Sequence, residues 1–294
     1  MAHTGLVALT DNRDRVSPDA DLGGPGRVHR LGKSRLGELE LVYEHLRAPV
    51  APTAAPPVYV LVHGIGMGRR TLLPLAEDLA TDGDAWVVDL PGFGDAPEPA
   101  RAPTMADLGA LVAAFVRDVV RPRTAPGRPL VLIGHSMGTQ VATETAAQAP
   151  ELVDGLVLIA PTINPAERHA TVQALRLVQD LAVESVGVLV TGLTEYLRSD
   201  PRWFFTVLAK MLTHRAEERL PAVQAPTLVL RGSLDHVSPR DWAQQVARLV
   251  PDARAADVPG QSHGTLLRDP HPIAALVRRF ALRRFGAEPS ASPD

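Results

Sequence analysis

The segment Gly134-His135-Ser136-Met137-Gly138 matches Gly-x-Ser-x-Gly, in which a serine sits on a sharp turn between a strand and a helix. The strand-like run Leu130-Val131-Leu132-Ile133 precedes it, and a stretch of small helical residues follows. Such a turn strains the serine, needs glycine on both sides and presents Ser136 Oγ above a sheet. A serine hydroxyl is a poor nucleophile until a base takes its proton. Ten histidines are available. His263, in Gly260-Gln261-Ser262-His263-Gly264, follows a short strand ending at Val258, and α/β folds place ligands at such carboxyl ends. His135 adjoins Ser136, but its side chain should diverge; His3 and His271 fall in a tail and at a helix start, and His169 and His214 in a long insertion. The base needs an acid to fix its tautomer. Asp235 follows the strand Thr227 to Leu230 through Arg231-Gly232-Ser233-Leu234, with Asp241 and Asp257 as rivals. The order Ser136, Asp235, His263 is one in which a Ser–His–Asp triad occurs.

A tetrahedral intermediate also needs two backbone donors aimed at its oxygen. The N–H of Met137, directly after the serine, supplies one. The second is expected from His63-Gly64-Ile65-Gly66-Met67-Gly68, where glycines free the backbone to turn its amides inward, and Ile65 is the donor chosen. No Lys-Ser or Lys-Thr follows these glycines, so the loop is not a phosphate cradle. His63 reads as a structural residue bonding to the loop backbone.

These residues need strands that end side by side. Apolar runs at Val58 to Val62, Trp86 to Leu90, Pro129 to Gly134, Leu156 to Ala160, Thr227 to Leu230 and Arg254 to Val258 read as strands. Helical spacing covers Thr71 to Asp82, Met105 to Val120, Ser136 to Ala149, Trp242 to Val250 and Pro272 to Phe285. Val28 to Leu31 and Leu39 to His45 read as an opening hairpin. The alternation predicts a parallel sheet covered on both faces. About 60 residues from Thr162 to Pro221 interrupt it with helical patterns only, too long for a plain loop. The expected organisation is a mobile tail at 1–25, a core at 26–161 and 222–285, a helical cap at 162–221 and a second tail at 286–294.

Composition narrows the chemistry. The 294 residues include no cysteine, which excludes disulfides, thiolate metal sites and cysteine nucleophiles. A net charge of −3 and 4% aromatics argue against nucleic acid as a partner. No run reaches the length of a membrane span and no signal-peptide pattern is read, so a cytoplasmic protein is expected. No metal-type cluster is visible, and no pattern specifies an oligomeric state.

With His63-Gly64-Ile65-Gly66, Asp89-Leu90-Pro91-Gly92-Phe93-Gly94, the Ser136 turn, Asp235 and His263 in place, the chain resembles the α/β-hydrolase superfamily over about Arg27 to Phe285. The resemblance implies an eight-stranded, mostly parallel sheet with helices on both faces and a cap after the sixth strand. It implies a serine hydrolase acting on a small-molecule carboxylic ester through an acyl-enzyme, with no cofactor. Two alternatives stay open: a C–C bond hydrolase of vinylogous keto acids on the same triad, and a non-catalytic ligand-binding protein. Within the insertion, Trp203-Phe204-Phe205 has two readings, packing of the cap itself or an apolar roof over Ser136 that binds substrate. Arg168 and Arg176 read either as solvated or as grips for a substrate carboxylate.

Overall fold

The computed structural model describes residues 20–21, 29–48, 56–169, 171–172, 176, 179, 200–264 and 269–286. Among these, nine strands form one sheet: β1 (Ala20–Asp21), β2 (His29–Leu36), β3 (Leu39–Leu46), β4 (Val58–Val62), β5 (Asp84–Asp89), β6 (Leu130–His135), β7 (Gly155–Ile159), β8 (Thr227–Gly232) and β9 (Ala253–Val258). Their spatial order is β1-β2-β3-β5-β4-β6-β7-β8-β9. The pairs from β5 through β4 to β9 are parallel, and β1, β2 and β3 join antiparallel at one edge. Eight of these strands are the expected ones. The ninth, β1, pairs with Leu31 and Arg30 of β2 and falls inside the expected tail. The rest of residues 1–25, and 287–294, lie outside the described residues.

The sheet is apolar on both faces because it is covered on both. In β4, Val58, Val60 and Val62 turn into one core with Leu108, Val141 and Trp242, whereas Tyr59 and Leu61 turn into another with Leu75 and Val277. Helices α1 (Arg69–Leu79) and α7 (His271–Phe285) therefore cover one face. Helices α2 (Met105–Phe115), α3 (Met137–Gln148) and α6 (Arg240–Leu249) cover the other. The periodic stretch expected to run to Val120 is α-helical only to Phe115 and then widens into a π-turn over Val116–Val120. Its start is set by a capping box, with the Asp107 N–H on Thr104 Oγ1 at 3.1 Å and the Thr104 N–H on Asp107 Oδ2 at 2.8 Å.

The insertion leaves the sheet after β7 and returns at β8. Its second half holds α4 (Pro201–Thr213) and the one-turn α5 (Ala216–Arg219). Asp200 caps α4 through the Arg202 N–H at 2.7 Å. Trp203, Val207 and Met211, at i, i+4 and i+8, form its buried stripe. The apolar run Val186 to Leu193 lies outside the described residues.

Candidate active site

Ser136 links β6 to α3 with φ at 53° and ψ at −118°, a conformation that costs a non-glycine residue about 1–3 kcal/mol and persists only where the surroundings enforce it. The flanking glycines permit the close approaches this conformation needs. A Cβ on Gly134 would lie 2.2 Å from the Gly138 carbonyl oxygen, and one on Gly138 would lie 2.3 Å from the Val62 carbonyl oxygen. Only glycine allows β6 to fold back on the first turn of α3, and that turn to touch β4. The Ser136 N–H is held by the Ile159 carbonyl of β7 at 3.0 Å.

The three residues singled out for nucleophile, base and acid meet at the carboxyl ends of β6, β8 and β9. His263 Nδ1 is 3.0 Å from Asp235 Oδ2, and His263 Nε2 is 3.1 Å from Ser136 Oγ. Asp235 is 3% exposed, and its Oδ1 accepts the Ser238 N–H at 2.7 Å. Burial alone would push its carboxyl up. The His263 ring, the Ser238 N–H and the Arg231 guanidinium outweigh that and hold it below the usual carboxylate range. An ionised carboxylate only accepts, so the His263 proton sits on Nδ1. Nε2 is then the acceptor that faces the Ser136 hydroxyl.

His263 and Asp235 belong to loops laced together by the backbone. The Ser233 N–H reaches the Val258 carbonyl at 2.9 Å, the Leu234 N–H reaches the Gln261 carbonyl at 2.8 Å, and the Gly260 N–H reaches Ser233 Oγ at 2.8 Å. A Cβ on Gly232 would lie 2.2 Å from the Gln261 carbonyl oxygen, so the approach needs glycine. His135 adds a tie from the serine side: its ring Nε2 lies 3.3 Å from the His263 carbonyl oxygen. The rival acid Asp257 is instead paired with Arg231 and Arg240.

The glycine loop after β4 lies against the serine, since a Cβ on Gly64 would be 3.1 Å from Ser136 Cβ. Ile65 follows directly. Met137 opens α3, so its N–H has no acceptor within the helix. His63 is fully buried: its Nε2 accepts the Leu90 N–H at 3.0 Å, and its Nδ1 lies 2.7 Å from the Gly64 carbonyl oxygen. Burial pushes its pKa down despite nearby Asp89, so it bridges two loops as a neutral ring, the structural role read for it. Asp89 fixes the same loops from below. Its carboxylate accepts from the Arg69 N–H, the Arg69 guanidinium and the Asp95 N–H, the last at 3.0 Å. Added Cβ atoms on Gly68 and Gly94 would strike it. Arg69 also reaches Glu44 at 3.1 Å and Asp95 at 2.7 Å. The sequence reading missed this buried network. Its only signal is an acid ending an apolar strand and an arginine opening a helix 20 residues earlier.

Trp203, Phe204 and Phe205 occupy three different settings. Trp203 is buried in the main core with its ring against Gly92, where a Cβ would lie 2.0 Å from Nε1. Phe204 is half-buried and meets Phe205 edge-on at 5.6 Å, and Phe205 is 60% exposed. Arg168 pairs with Glu217 and Arg176 with Glu167, both within the insertion. Among the described residues no cluster of His, Asp or Glu is arranged to hold a metal ion, and no helix is long and apolar enough to cross a membrane.

The profile of the alpha/beta hydrolase family matches residues 59–278, which span the serine, acid and histidine loops. The chain belongs to this family. A curated relative of this hydrolase is the pimeloyl-[acyl-carrier protein] methyl ester esterase of Yersinia pseudotuberculosis serotype O:1b (strain IP 31758), 26% identical over 248 residues, which cover 76% of this chain and 92% of that one. Among solved structures, a bacterial membrane phospholipase A superposes with a TM-score of 0.70 at 22% identity, covering 89% of this chain and 88% of its own. The enol-lactonase of Burkholderia xenovorans LB400 superposes with a TM-score of 0.69 at 16% identity, covering 84% and 98%. The structural matches establish the fold of the hydrolase.

Proposed function

We propose that this hydrolase cleaves carboxylic esters through an acyl-enzyme on Ser136. The observation that carries the reading is the unbroken chain from Asp235 Oδ2 through the His263 ring to Ser136 Oγ, with contacts of 3.0 and 3.1 Å. Ser136 Oγ attacks the ester carbon as its proton passes to His263 Nε2. The carbonyl electrons move onto oxygen, where the N–H groups of Ile65 and Met137 stabilise the charge. Asp235 stays ionised and stabilises the imidazolium. Collapse of the intermediate expels the alcohol, which takes the proton from Nε2. Water then attacks the acyl group with His263 again as base, releasing the carboxylic acid and restoring Ser136. Every atom in this cycle comes from protein, ester or water, so no metal or cofactor is required.

The curated relative is named for a methyl ester, which favours an ester over a keto acid. The pairing of Arg168 and Arg176 inside the insertion argues the same way, because C–C hydrolysis of a keto acid calls for a cation that grips the carboxylate. We assign residues 162–221 to a cap over the site. Trp203 seats it on the Gly92 loop, and Phe204 and Phe205 are the aromatics assigned to contact with the acyl chain.

A fluorophosphonate probe should label Ser136 stoichiometrically, and Ser136→Ala should abolish both labelling and the hydrolysis of nitrophenyl esters. Label on another serine of the intact enzyme, or turnover of keto acids but not esters, would sink the reading.

A further inference from the structure

Arg231 is a charged side chain in the apolar strand β8 and is 7% exposed. Its guanidinium points into the loop that carries the acid. Nε donates to the Ser238 carbonyl at 2.9 Å, and Nη2 donates to the Asp235 carbonyl at 3.0 Å. Nη2 also lies 3.5 Å from the Ser233 carbonyl oxygen, and Nη1 donates to Asp257 Oδ1 at 3.2 Å. Buried carbonyl groups need donors, and a turn this tight cannot supply them from its own backbone. A planar fork with five N–H groups can.

The loop held in this way presents the carboxylate. Ser238 is gripped at its carbonyl by Arg231, while its N–H holds Asp235 Oδ1 at 2.7 Å and its hydroxyl donates to the Pro161 carbonyl at 2.8 Å. One oxygen of Asp235 is thereby fixed by the backbone, which leaves the other aimed at His263. We infer that Arg231 is a positioning residue for the reaction: it holds the Asp235–Ser238 turn so that the carboxylate keeps His263 in the tautomer that accepts the Ser136 proton. Asp257, a rival for the acid by sequence, balances the charge of Arg231 at the outer end of the same fork. This inference rests on the triad reading above.

Without the fork, the Ser238 and Asp235 carbonyls lose their donors. The turn then relaxes and the Ser238 N–H leaves the carboxylate. In Arg231→Met, kcat for nitrophenyl acetate should fall by up to about 10²-fold, the scale of a misplacement of about 1 Å. KM should stay unchanged, because the side chain lies beneath the site. Arg231→Lys keeps the charge but not the fork, and should fall between Arg231→Met and the wild type. The deciding comparison is Arg231→Met made in an Asp235→Asn background, where it should change kcat by less than about twofold, the margin expected for a residue acting only through Asp235. An Arg231→Met enzyme with wild-type kcat beside a crippled Asp235→Asn enzyme overturns the inference alone. So does an equal loss in both backgrounds, which marks Arg231 as general scaffolding. An Asp235→Asn enzyme with normal turnover removes the triad reading and the inference with it. If Arg231→Met does not fold, Arg231→Lys decides, since unaltered kcat without the fork refutes positioning.

Discussion

The ring Nε2 of His135 lies 3.3 Å from the carbonyl oxygen of His263. The residue beside Ser136 therefore holds the backbone of His263 while its own ring is buried. Burial, with the neighbouring His263 ring as a second cause, pushes the His135 pKa down to about 3.

That shift sets the pH dependence of stability. An unfolded histidine titrates at about 6.5. Below this, the unfolded chain takes up a proton that folded His135 refuses down to about 3, so acid favours unfolding. The stability is fully present above the unfolded value and is lost as pH falls towards the folded one. Burial shifts His63 and His214 in the same direction. Urea unfolding free energy should be level from about pH 8 to 6.5, then fall by up to about 1.4 kcal/mol per pH unit for each such histidine. His135→Asn should flatten the slope, and a free energy that holds or rises on acidification would refute the argument.

Asp235→Asn should keep the fold and lower kcat by up to about 10⁴-fold, the loss that follows when a triad imidazole is held in the wrong tautomer. Circular dichroism and steady-state kinetics on the same preparation check this. Near-normal turnover would pass the role to another acid.

Gly64 and Gly138 should separate activity from stability. An alanine Cβ at position 138 meets the Val62 backbone at 2.3 Å, so Gly138→Ala should destabilise the fold by about 1–3 kcal/mol and lose activity with it. At position 64 the nearest atom is Ser136 Cβ at 3.1 Å, a contact relieved by a small shift of the serine itself. Gly64→Ala should therefore melt near the wild-type temperature while kcat falls by up to about 10²-fold. Parallel losses in the two variants would disprove the distinction.

The aromatic residues of α4 should differ by substrate length. Trp203→Ala empties a core site against Gly92 and should cost about 3–5 kcal/mol of stability, with an equal loss for all esters. Phe204→Ala and Phe205→Ala should leave the melting temperature nearly unchanged. At least one of them should weaken long acyl esters by about 10-fold or more relative to acetate, the scale of an aromatic contact worth about 1.5–3 kcal/mol. A loss independent of chain length in both variants would remove them from the substrate site.

Most of the sheet was legible because strands buried on two faces must be apolar throughout, as Val58 to Val62 are. Ser136 and its glycines were legible because one backbone shape demands those residue types. The short strand at Ala20–Asp21 was not, since two residues carry no periodicity. Nor was the end of α2, where a π-turn keeps the apolar spacing without the α-helical bonding. Ala160 and Ile163, with φ at 52° and 65° where the chain enters the insertion, break the local preference of their own types, and only tertiary contacts decide such angles. Arg231 reads in sequence as a loop residue after the strand Thr227 to Leu230, and nothing flags its role because its acceptors are carbonyl groups that any residue carries.

The pairing of β8 with β9, and of β6 with β7, has a consequence for the order of folding. Ser136 and His263 are 127 residues apart along the chain and meet only when these parallel strands have registered. Contacts of such long sequence separation close slowly. During renaturation, helical signal should return before hydrolase activity, and activity should return with the last parallel pairing. Turnover is then a stringent reporter of a completed sheet, and a chain stalled with β9 undocked would be compact, helical and inert.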